Sequence, residues 1–345
     1  MRLEFLRKGW KRLASKAFEH AHASHCESGV MASLVRHHGL PLSEAMAFGL
    51  ASALSFAYLP FIRVGGQPLV AYRMPPRFII RGLHASLGLG MRFEKFRSPE
   101  RGMARLDQLL DAGQLVGLQT SVFWLPYFPP DLRFHFNAHN LLVYGREGDE
   151  YLISDPVAEM AVRCARKDLE KARFAKGVLA PKGLLYYATR EPADPDWARL
   201  GKRALKRTAR IMLYTPLPII GVRGIEMLAS KVEKLRIDDH ARLYVGHVVR
   251  MQEEIGTGGG GFRFLYASFL QELAAKTGYG ALDALAARLV GIGDRWREFA
   301  LAAARMIRGR DPLAPPALAE RLRAIAAEER AFFRSLDAAR KAWAC

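Results

Sequence analysis

A short segment rich in proline and acidic residues, Glu191-Pro-Ala-Asp-Pro-Asp196, divides the chain into two parts with different hydrophobic patterns. Before this segment, apolar residues alternate between helical and strand-like spacing, whereas after it the apolar runs have helical spacing. A chain of 345 residues is long enough for two domains that each bury a core. The pattern therefore predicts an α+β domain over residues 1–190 and an all-α domain over residues 191–345.

The same periodicity predicts the individual elements. Residues 28–57 are interrupted at Gly39-Leu-Pro41, which indicates two helices joined by a turn, the second starting near Ser43. The uncharged run from Ala45 to Ile62 is interpreted as a buried helix and its exit. Strands are expected at residues 78–80, 115–124, 140–144, 151–154 and 183–189, and helices at residues 197–214, 223–235, 243–254, 262–276, 281–306 and 317–344.

The chain is strongly basic, with 52 Lys and Arg against 34 Asp and Glu and a formal net charge of +18. The excess is spread over both parts, so it favours an acidic partner: nucleic acid, an anionic lipid surface or an acidic carrier protein. No helix-turn-helix with a basic recognition helix, RNP motif or zinc finger is visible, which argues against nucleic acid.

Cysteine usage and the amino terminus bear on location. Three cysteines are too few for a disulfide framework, which favours a reducing compartment. The first residues are basic but lack the continuous apolar core of a signal peptide, so we expect a soluble cytoplasmic protein. Leu3, Leu6, Trp10 and Leu13, set among basic residues, form a helix that either contacts a membrane surface or packs in the core.

Cys26 directly precedes the first long apolar helix, in the sequence Ser24-His-Cys-Glu-Ser28. A thiol at the amino terminus of a helix is exposed to the helix dipole and to unpaired N–H groups, which stabilise a thiolate. His25 is a candidate cationic neighbour. The residues thus predict a nucleophile, although a buried structural cysteine fits the same position.

A predicted hairpin supplies the partners of a nucleophile. Two short apolar runs, residues 140–144 and 151–154, flank a polar loop, and centring the hairpin on Glu147 places His139 opposite Asp155. Asp155 then orients one imidazole nitrogen while the other faces the thiol. A register slip of one residue would move the two side chains to opposite faces. An ordinary hairpin with a surface histidine is the alternative.

Several ordered motifs resemble the BtrH family of butirosin biosynthesis. The amino-terminal ones are His25-Cys-Glu27, Leu42-Ser-Glu44, Phe48-Gly-Leu50, Ser55-Phe-Ala-Tyr58, Trp124-Leu-Pro-Tyr127, His139 and Asp155-Pro156; the carboxy-terminal ones are Gly258 to Tyr266, Phe269-Leu270 and Trp296. The resemblance covers about residues 20–345. It implies a papain-like, C39 peptidase-like domain followed by a helical domain. It also implies acyl transfer from a carrier-protein thioester to an amine, with Cys26, His139 and Asp155 as the triad.

The sequence departs from the C39 pattern at one place. Enzymes of that type keep a glutamine about six residues before the cysteine to help bind the oxyanion, and here that place holds His20. The backbone N–H of Cys26 supplies one donor, and the candidates for a second are His20, His22 and Ser24.

Basic residues after the domain boundary are candidates for carrier docking. They fall at helical spacing on one face, where a solvated surface is the alternative to a docking stripe for the acidic helix of an acyl carrier protein. The glycine-rich loop Gly256–Gly261 precedes Arg263, so this region either contacts a phosphopantetheine phosphate or forms a flexible linker. The candidates are Arg199, Arg203, Lys206, Arg207, Arg210 and Arg263.

The sequence therefore predicts a cysteine-dependent acyltransferase. Its donor is an acyl carrier protein, whose phosphopantetheine arm is part of the substrate, and its acceptor is a small amine-bearing molecule. No bound cofactor or metal is expected, since the histidines near His20 have no second ligand cluster. The alternatives are a thiol hydrolase with the same triad and a non-enzymatic nucleic-acid-binding protein.

Overall fold

A computed structural model describes residues 18–254 and 257–343 of the chain. These residues divide into two compact units. The first contains residues 18–47 and 83–195, and the second contains residues 48–82 and 196–343. Each unit has its own arrangement of elements.

The first unit is built on a six-stranded antiparallel sheet with helices packed against it. Its strands lie in the order Arg92–Glu94, Leu185–Tyr187, Val116–Thr120, His139–Glu147, Glu150–Ser154 and Val162–Ala165. The elements that lie in this unit or start in it are α1 (Cys26–His37), α2 (Glu44–Leu50), β3 (Arg92–Glu94), α4 (Pro99–Asp111), β4 (Val116–Thr120), β5 (His139–Glu147), β6 (Glu150–Ser154), β7 (Val162–Ala165), α5 (Arg166–Arg173) and β8 (Leu185–Tyr187).

Alternation along the strands determines which side chains enter the core of this unit. Leu141 and Val143 of β5 share a face and are fully buried with Leu118 of β4 and with Leu106 of α4. Helix α1 packs against β5. It begins at Cys26 and ends at His37, with buried residues at positions 26–35. Because this helix is buried along nearly its whole length, its amino terminus is held in a defined place beside the sheet.

The second unit combines a two-stranded hairpin with six long helices. Strands β1 (Leu54–Val64) and β2 (Gln67–Arg73) pair antiparallel across a turn at Gly65 and Gly66. Helix α3 (Phe78–Leu87) begins in this unit. The remaining helices are α6 (Trp197–Tyr214), α7 (Gly221–Glu233), α8 (Asp239–Glu253), α9 (Arg263–Thr277), α10 (Ala281–Ile307) and α11 (Pro315–Ala342).

The prediction of an α+β region followed by a helical region is confirmed. The six helices expected after residue 196 are present with ends shifted by a few residues, and the strands that carry His139 and precede Asp155 are present as well. The two helices predicted within residues 28–57 are both present, as α1 and α2, but the second ends at Leu50.

Two local predictions were wrong. Residues 54–62 form β1 rather than the exit of a helix, because β-branched and aromatic residues there lead into Gly65-Gly66, both with positive φ as a tight hairpin turn requires. Residues 78–80 begin helix α3, in which Ile79, Ile80, Leu83 and Leu87 are buried at helical spacing. The predicted boundary between residues 190 and 191 lies close to the observed division near residue 195, but the hairpin of residues 54–73 belongs to the second unit.

The glycine-rich loop has a structural role in the second unit. Gly258 to Phe262 all have positive φ, which glycine adopts without the steric cost that other residues incur. A Cβ atom on Gly261 would lie 2.3 Å from the ring of Tyr72, and the N–H of Gly260 donates to the Glu253 carboxylate at 3.1 Å. Since an acidic side chain already accepts from this loop, the predicted contact with a phosphate does not fit it.

Two predictions concern the termini and membranes. The amphipathic segment with Leu3, Leu6, Trp10 and Leu13 lies outside the described residues, as does Cys345. Within residues 18–254 and 257–343, no helix is both long and apolar enough to cross a membrane.

Candidate active site

Cys26 is the first residue of α1 and is almost completely buried, with 6% of its surface exposed. The preceding residue, His25, caps the helix, since its Nδ1 accepts from the backbone N–H of Ser28 at 3.3 Å. His25 therefore acts as a cap, whereas the sequence suggested a cationic neighbour of the thiol. The Cys26 sulfur lies at the positive end of the helix dipole, which favours a negative charge there.

Glu44 holds the loop that leads into Cys26. Its carboxylate accepts from the backbone N–H of Ser24 at 2.9 Å and from that of His25 at 2.8 Å. The Ser28 hydroxyl donates to the same carboxylate at 3.0 Å. Because α2 starts at Glu44, these bonds tie the amino termini of α1 and α2 together and restrict the position of the nucleophile.

His139 and Asp155 are in direct contact. The imidazole Nε2 lies 2.6 Å from Oδ2 of Asp155, and the two side chains are 5% and 0% exposed. Cys26 is close enough to the same imidazole to raise its pKa. Since Nε2 is engaged by the carboxylate, Nδ1 is the nitrogen left for the thiol. The structure thus brings together the three residues that the sequence proposed as a triad.

The register that produces this contact differs from the predicted one. The turn consists of Gly148 and Asp149, a bulge interrupts β5 at Tyr144, and Leu142 pairs with Ser154. Asp155 therefore lies diagonal to His139 rather than directly opposite. The difference amounts to an even number of residues, so the two side chains stay on the same face and remain within reach.

Tyr127 completes the surroundings of Asp155. Its hydroxyl donates to Oδ2 at 2.7 Å, the oxygen that also contacts His139, and the N–H of Val157 donates to Oδ1 at 3.2 Å. Burial and the neighbouring Asp155 raise the pKa of Tyr127 well above its ordinary value, so its hydroxyl stays a proton donor at neutral pH. The carboxylate thus accepts from three groups and is fully buried.

The electrostatics of the site favour a protonated imidazole. Burial by itself lowers the pKa of His139, but the charge and hydrogen bond of Asp155, with a smaller contribution from Cys26, outweigh it and raise this pKa to about 10. At neutral pH the imidazolium lies between a carboxylate and the thiol. A positive charge beside the sulfur stabilises a thiolate there.

The imidazole is also shielded by an aromatic side chain. The ring of Phe128 meets that of His139 edge to face, with centroids 5.6 Å apart. His139 has 4% of its surface exposed, a value as low as that of Cys26. The site is therefore closed and partly apolar.

The candidates for a second oxyanion donor differ in their contacts and exposure. His20 is already engaged, because its Nε2 contacts the carbonyl oxygen of Ala158 at 3.1 Å and its Nδ1 contacts the Ser154 hydroxyl at 2.7 Å. The Ser24 hydroxyl donates to Glu44 at 3.3 Å, and the His22 side chain is exposed. His20 and Ser24 are thus engaged in positioning contacts, which leaves the N–H of Cys26 as the donor that the geometry supports.

The basic candidates separate into an exposed group and one buried residue. Arg199, Arg203, Lys206, Arg207 and Arg210 lie on the exposed face of α6, as predicted. Arg263 is fully buried, and its guanidinium makes a bidentate ion pair with Glu329 at 2.8 and 3.0 Å. The prediction that Arg263 contacts a carrier protein was wrong, because its charge is neutralised inside the second unit.

Two contributors to the site were missed at the level of sequence. Tyr127 and Glu44 each occur in a motif that supports the family resemblance, yet neither role follows from residue type or spacing. A tyrosine and a glutamate in loop-rich sequence carry no local signal for the carboxylate or the backbone N–H groups they contact. No group of three metal-ligating side chains occurs in the part of the chain that the structure describes.

A thiol at a helix terminus, a buried imidazole and a carboxylate beyond the next strand are the groups that a papain-like cysteine enzyme uses. Residues 25–156 match the family model for the N-terminal part of butirosin biosynthesis protein H. Residues 167–336 match a family described as a domain of unknown function, DUF4872. These two matches are consistent with a BtrH-like family.

The chain was also compared with solved structures and with curated protein sequences. A crystal structure from Bacillus anthracis, described as that of a C39-like peptidase, is similar over 52% of this chain and 97% of that chain, with 15% identity and a TM-score of 0.36. No curated protein sequence matches the chain.

Proposed function

We propose that this protein transfers an acyl group from an acyl-carrier-protein thioester to an amine through an acyl-enzyme on Cys26. The contact that carries the proposal is the 2.6 Å bond between His139 and the buried carboxylate of Asp155, made beside a thiol at a helix terminus. Asp155 holds the imidazole in one orientation, which leaves the opposite nitrogen for the sulfur. This is the arrangement that an activated cysteine nucleophile requires.

The first half-reaction forms the acyl-enzyme. The Cys26 sulfur attacks the thioester carbonyl carbon, and the tetrahedral oxyanion is held by the N–H of Cys26. Collapse of this intermediate breaks the bond to the phosphopantetheine sulfur. In the resting enzyme the proton of Cys26 resides on His139 as the imidazolium, which delivers it to the departing thiolate, so the carrier leaves with a free thiol.

The second half-reaction transfers the acyl group. The acceptor amine attacks the Cys26 thioester, His139 takes a proton from the nitrogen, and that proton passes to the Cys26 sulfur as it leaves. An amide forms and the free enzyme returns. Asp155 stabilises the imidazolium in both halves without itself exchanging a proton.

The burial of the site supports transfer over hydrolysis. An acyl-enzyme survives until an amine arrives only when water has little access to it, and both Cys26 and His139 are almost completely buried. The same triad would hydrolyse a thioester or peptide if water entered. A thiol hydrolase is therefore the second candidate, and the product distinguishes the two.

Three features support the choice of donor and acceptor. The family is named for a biosynthetic protein, the chain carries a net charge of +18, and exposed cations line α6. Acyl carrier proteins are acidic, and their phosphopantetheine arm would reach a buried thiol that a bulky donor would not. The arm is then a substrate group and needs no cofactor resident in this protein.

The test is to follow Cys26 by intact-protein mass spectrometry with acyl-loaded carrier proteins, using acyl groups from acetyl to octanoyl. We expect a mass increase equal to the acyl group, absent in Cys26→Ala and retained in Cys164→Ala. Cys164 is the matched control because burial raises the pKa of its thiol to about 12. Adding an amine should convert the acyl-enzyme to an amide. Release of free acid at the same rate with and without amine would identify a hydrolase instead.

A further inference from the structure

A groove of about 710 Å³ in the second unit collects positive charge from two helices. Lys206, Arg207 and Arg210 of α6 line one side, and Arg340 and Lys341 near the carboxy terminus of α11 line the other. The two helices pack against each other, so these cations face a common space. The arrangement joins residues more than a hundred positions apart in the sequence.

Most of this charge has no counter-ion among the residues that the structure describes. Asp337 is the acidic residue among the lining side chains, and it bonds Arg340 at 2.7 Å and Lys341 at 2.8 Å. Although burial favours its neutral form, these two bonds lower the pKa of Asp337. No carboxylate of residues 18–254 or 257–343 forms an ion pair with Lys206, Arg207 or Arg210.

The groove divides the basic stripe of α6 into two parts. Lys206, Arg207 and Arg210 line it, whereas Arg199 and Arg203 do not. Arg199 instead lies near Asp196, with 3.6 Å between Nε and Oδ2. The exposed cations of α6 thus form two groups, one that lines the groove and one that lies outside it.

Apolar surface in the groove limits the kind of partner. Ile211 and Tyr214 line it, and Tyr214 is 65% exposed. From Lys206 to Tyr214 the helix rises about 12 Å, which matches two turns of an opposing helix. Cations around apolar side chains suit an amphipathic acidic helix. A nucleic acid backbone would gain nothing from Tyr214 or Ile211 and would be repelled by Asp337.

We propose that this groove between α6 and α11 is the docking site for an acidic, amphipathic helix of the carrier protein that brings the acyl thioester. The inference rests on the proposed acyl transfer. It adds Arg340 and Lys341 to the docking surface and removes Arg199 and Arg203. Carboxylates of the partner helix would pair with the cations while its apolar face covers Ile211 and Tyr214.

The test compares two double variants with the same change in charge on the same helix. Lys206→Glu with Arg210→Glu alters the groove, and Arg199→Glu with Arg203→Glu alters exposed residues outside it. Long-range attraction should fall similarly in both, so any difference between them reports the groove. The donors are an acetyl-loaded acidic acyl carrier protein and S-acetyl-N-acetylcysteamine, a small thioester that needs no docking.

We expect the groove variant to raise the apparent KM for the carrier donor about tenfold and the control variant about threefold or less. Both should acylate Cys26 from the small thioester at rates within about twofold of the parent. Equal effects of the two variants on the carrier donor would overturn the groove assignment and leave only general attraction. Circular dichroism of each variant verifies folding.

Direct binding separates this inference from the proposed function. Fluorescence anisotropy with a labelled, unloaded carrier protein should show weaker binding to the groove variant than to the control variant, whether or not Cys26 is acylated. If the carrier binds in this pattern but Cys26 is not acylated, the proposed function is wrong and the docking inference stands. Binding of a labelled DNA duplex that is lost in the groove variant, together with no carrier binding, would assign the groove to nucleic acid and overturn the inference.

Discussion

Asp155 accepts hydrogen bonds from three chemically different groups: an imidazole, a phenol and a backbone N–H. The first contact orients His139, and the other two hold the carboxylate itself. Asp149 lies only six positions away but sits in the turn between β5 and β6, at the far end of the strands. The two aspartates therefore allow a matched test of the orienting role.

Asp155→Asn should slow acylation of Cys26 on the order of 10⁴-fold, because an amide neither stabilises the imidazolium nor selects the required tautomer. Asp149→Asn should leave the rate nearly unchanged. Single-turnover acylation measured by intact-protein mass spectrometry gives both rates, and circular dichroism verifies the fold. Acylation of Asp155→Asn at the parental rate would show that His139 works without this carboxylate.

Tyr127 is a positioning residue whose effect should appear in the pH profile. Its hydroxyl shares Oδ2 of Asp155 with His139, so Tyr127→Phe leaves the full charge of that oxygen to the imidazole. The pKa of His139 should rise, and the alkaline limb of the acylation rate should move to higher pH.

Tyr151→Phe is the matched control for this change, since Tyr151 donates to Asp107 at 2.6 Å in the same unit without contacting a histidine. It should leave the alkaline limb where it is in the parent. A limb that stays in place in Tyr127→Phe, or that moves to lower pH, would contradict the role assigned to Tyr127.

At the scale of elements, the helices of the second unit are joined by a buried charge pair. Arg263 at the start of α9 meets Glu329 in the middle of α11, and the indole N–H of Trp296 in α10 donates to the same carboxylate at 2.8 Å. The rings of Tyr72 and Trp296 lie 5.7 and 5.3 Å from the guanidinium. The pair therefore connects three helices and the β1–β2 hairpin.

Glu329→Gln should lower the free energy of unfolding by about 3–5 kcal/mol, because it leaves the Arg263 charge buried without a counter-ion. The neighbouring Glu328 is 46% exposed and lies near Arg295 at the surface, so Glu328→Gln should change it by no more than about 0.5 kcal/mol. Urea denaturation followed by circular dichroism measures both. Equal losses in the two variants would mean that the buried pair contributes little.

At the scale of the whole molecule, the buried site links folding to pH. The pKa of His139 rises from about 6.5 in the unfolded chain to about 10 in the folded protein. The folded state then binds a proton more tightly than the unfolded one. This contribution to stability is complete below pH 6.5 and is lost as the pH rises through about 10.

The difference in melting temperature between the parent and His139→Gln should therefore be larger at pH 6 than at pH 10. Differential scanning fluorimetry across this range measures it, and taking the difference removes the effects of other titrating groups. A difference that is constant or grows with pH would mean that His139 is neutral in the folded protein.

Local pattern determined a large part of this fold. Helical spacing after residue 196 predicts α6 to α11 because amphipathic helices must bury one stripe, and this requirement shows in the sequence. Cys26 at a helix start, and His139 and Asp155 around one hairpin, were likewise visible. The contact between the last two was predicted through a wrong register, and it survived because a shift of two residues preserves the face.

The tertiary structure alone decided which charges are exposed and which segments pack together. Arg263 and Arg210 look alike in sequence, yet one is paired inside the protein with Glu329, 66 positions away, and the other lines an open groove. Tyr127 donates to Asp155, and Glu44 accepts from the loop before Cys26. Neither contact can be predicted from residue spacing in the sequence. Periodicity reports the environment of a residue along its own element, whereas counter-ions and hydrogen-bond partners come from distant elements and appear only once these have packed.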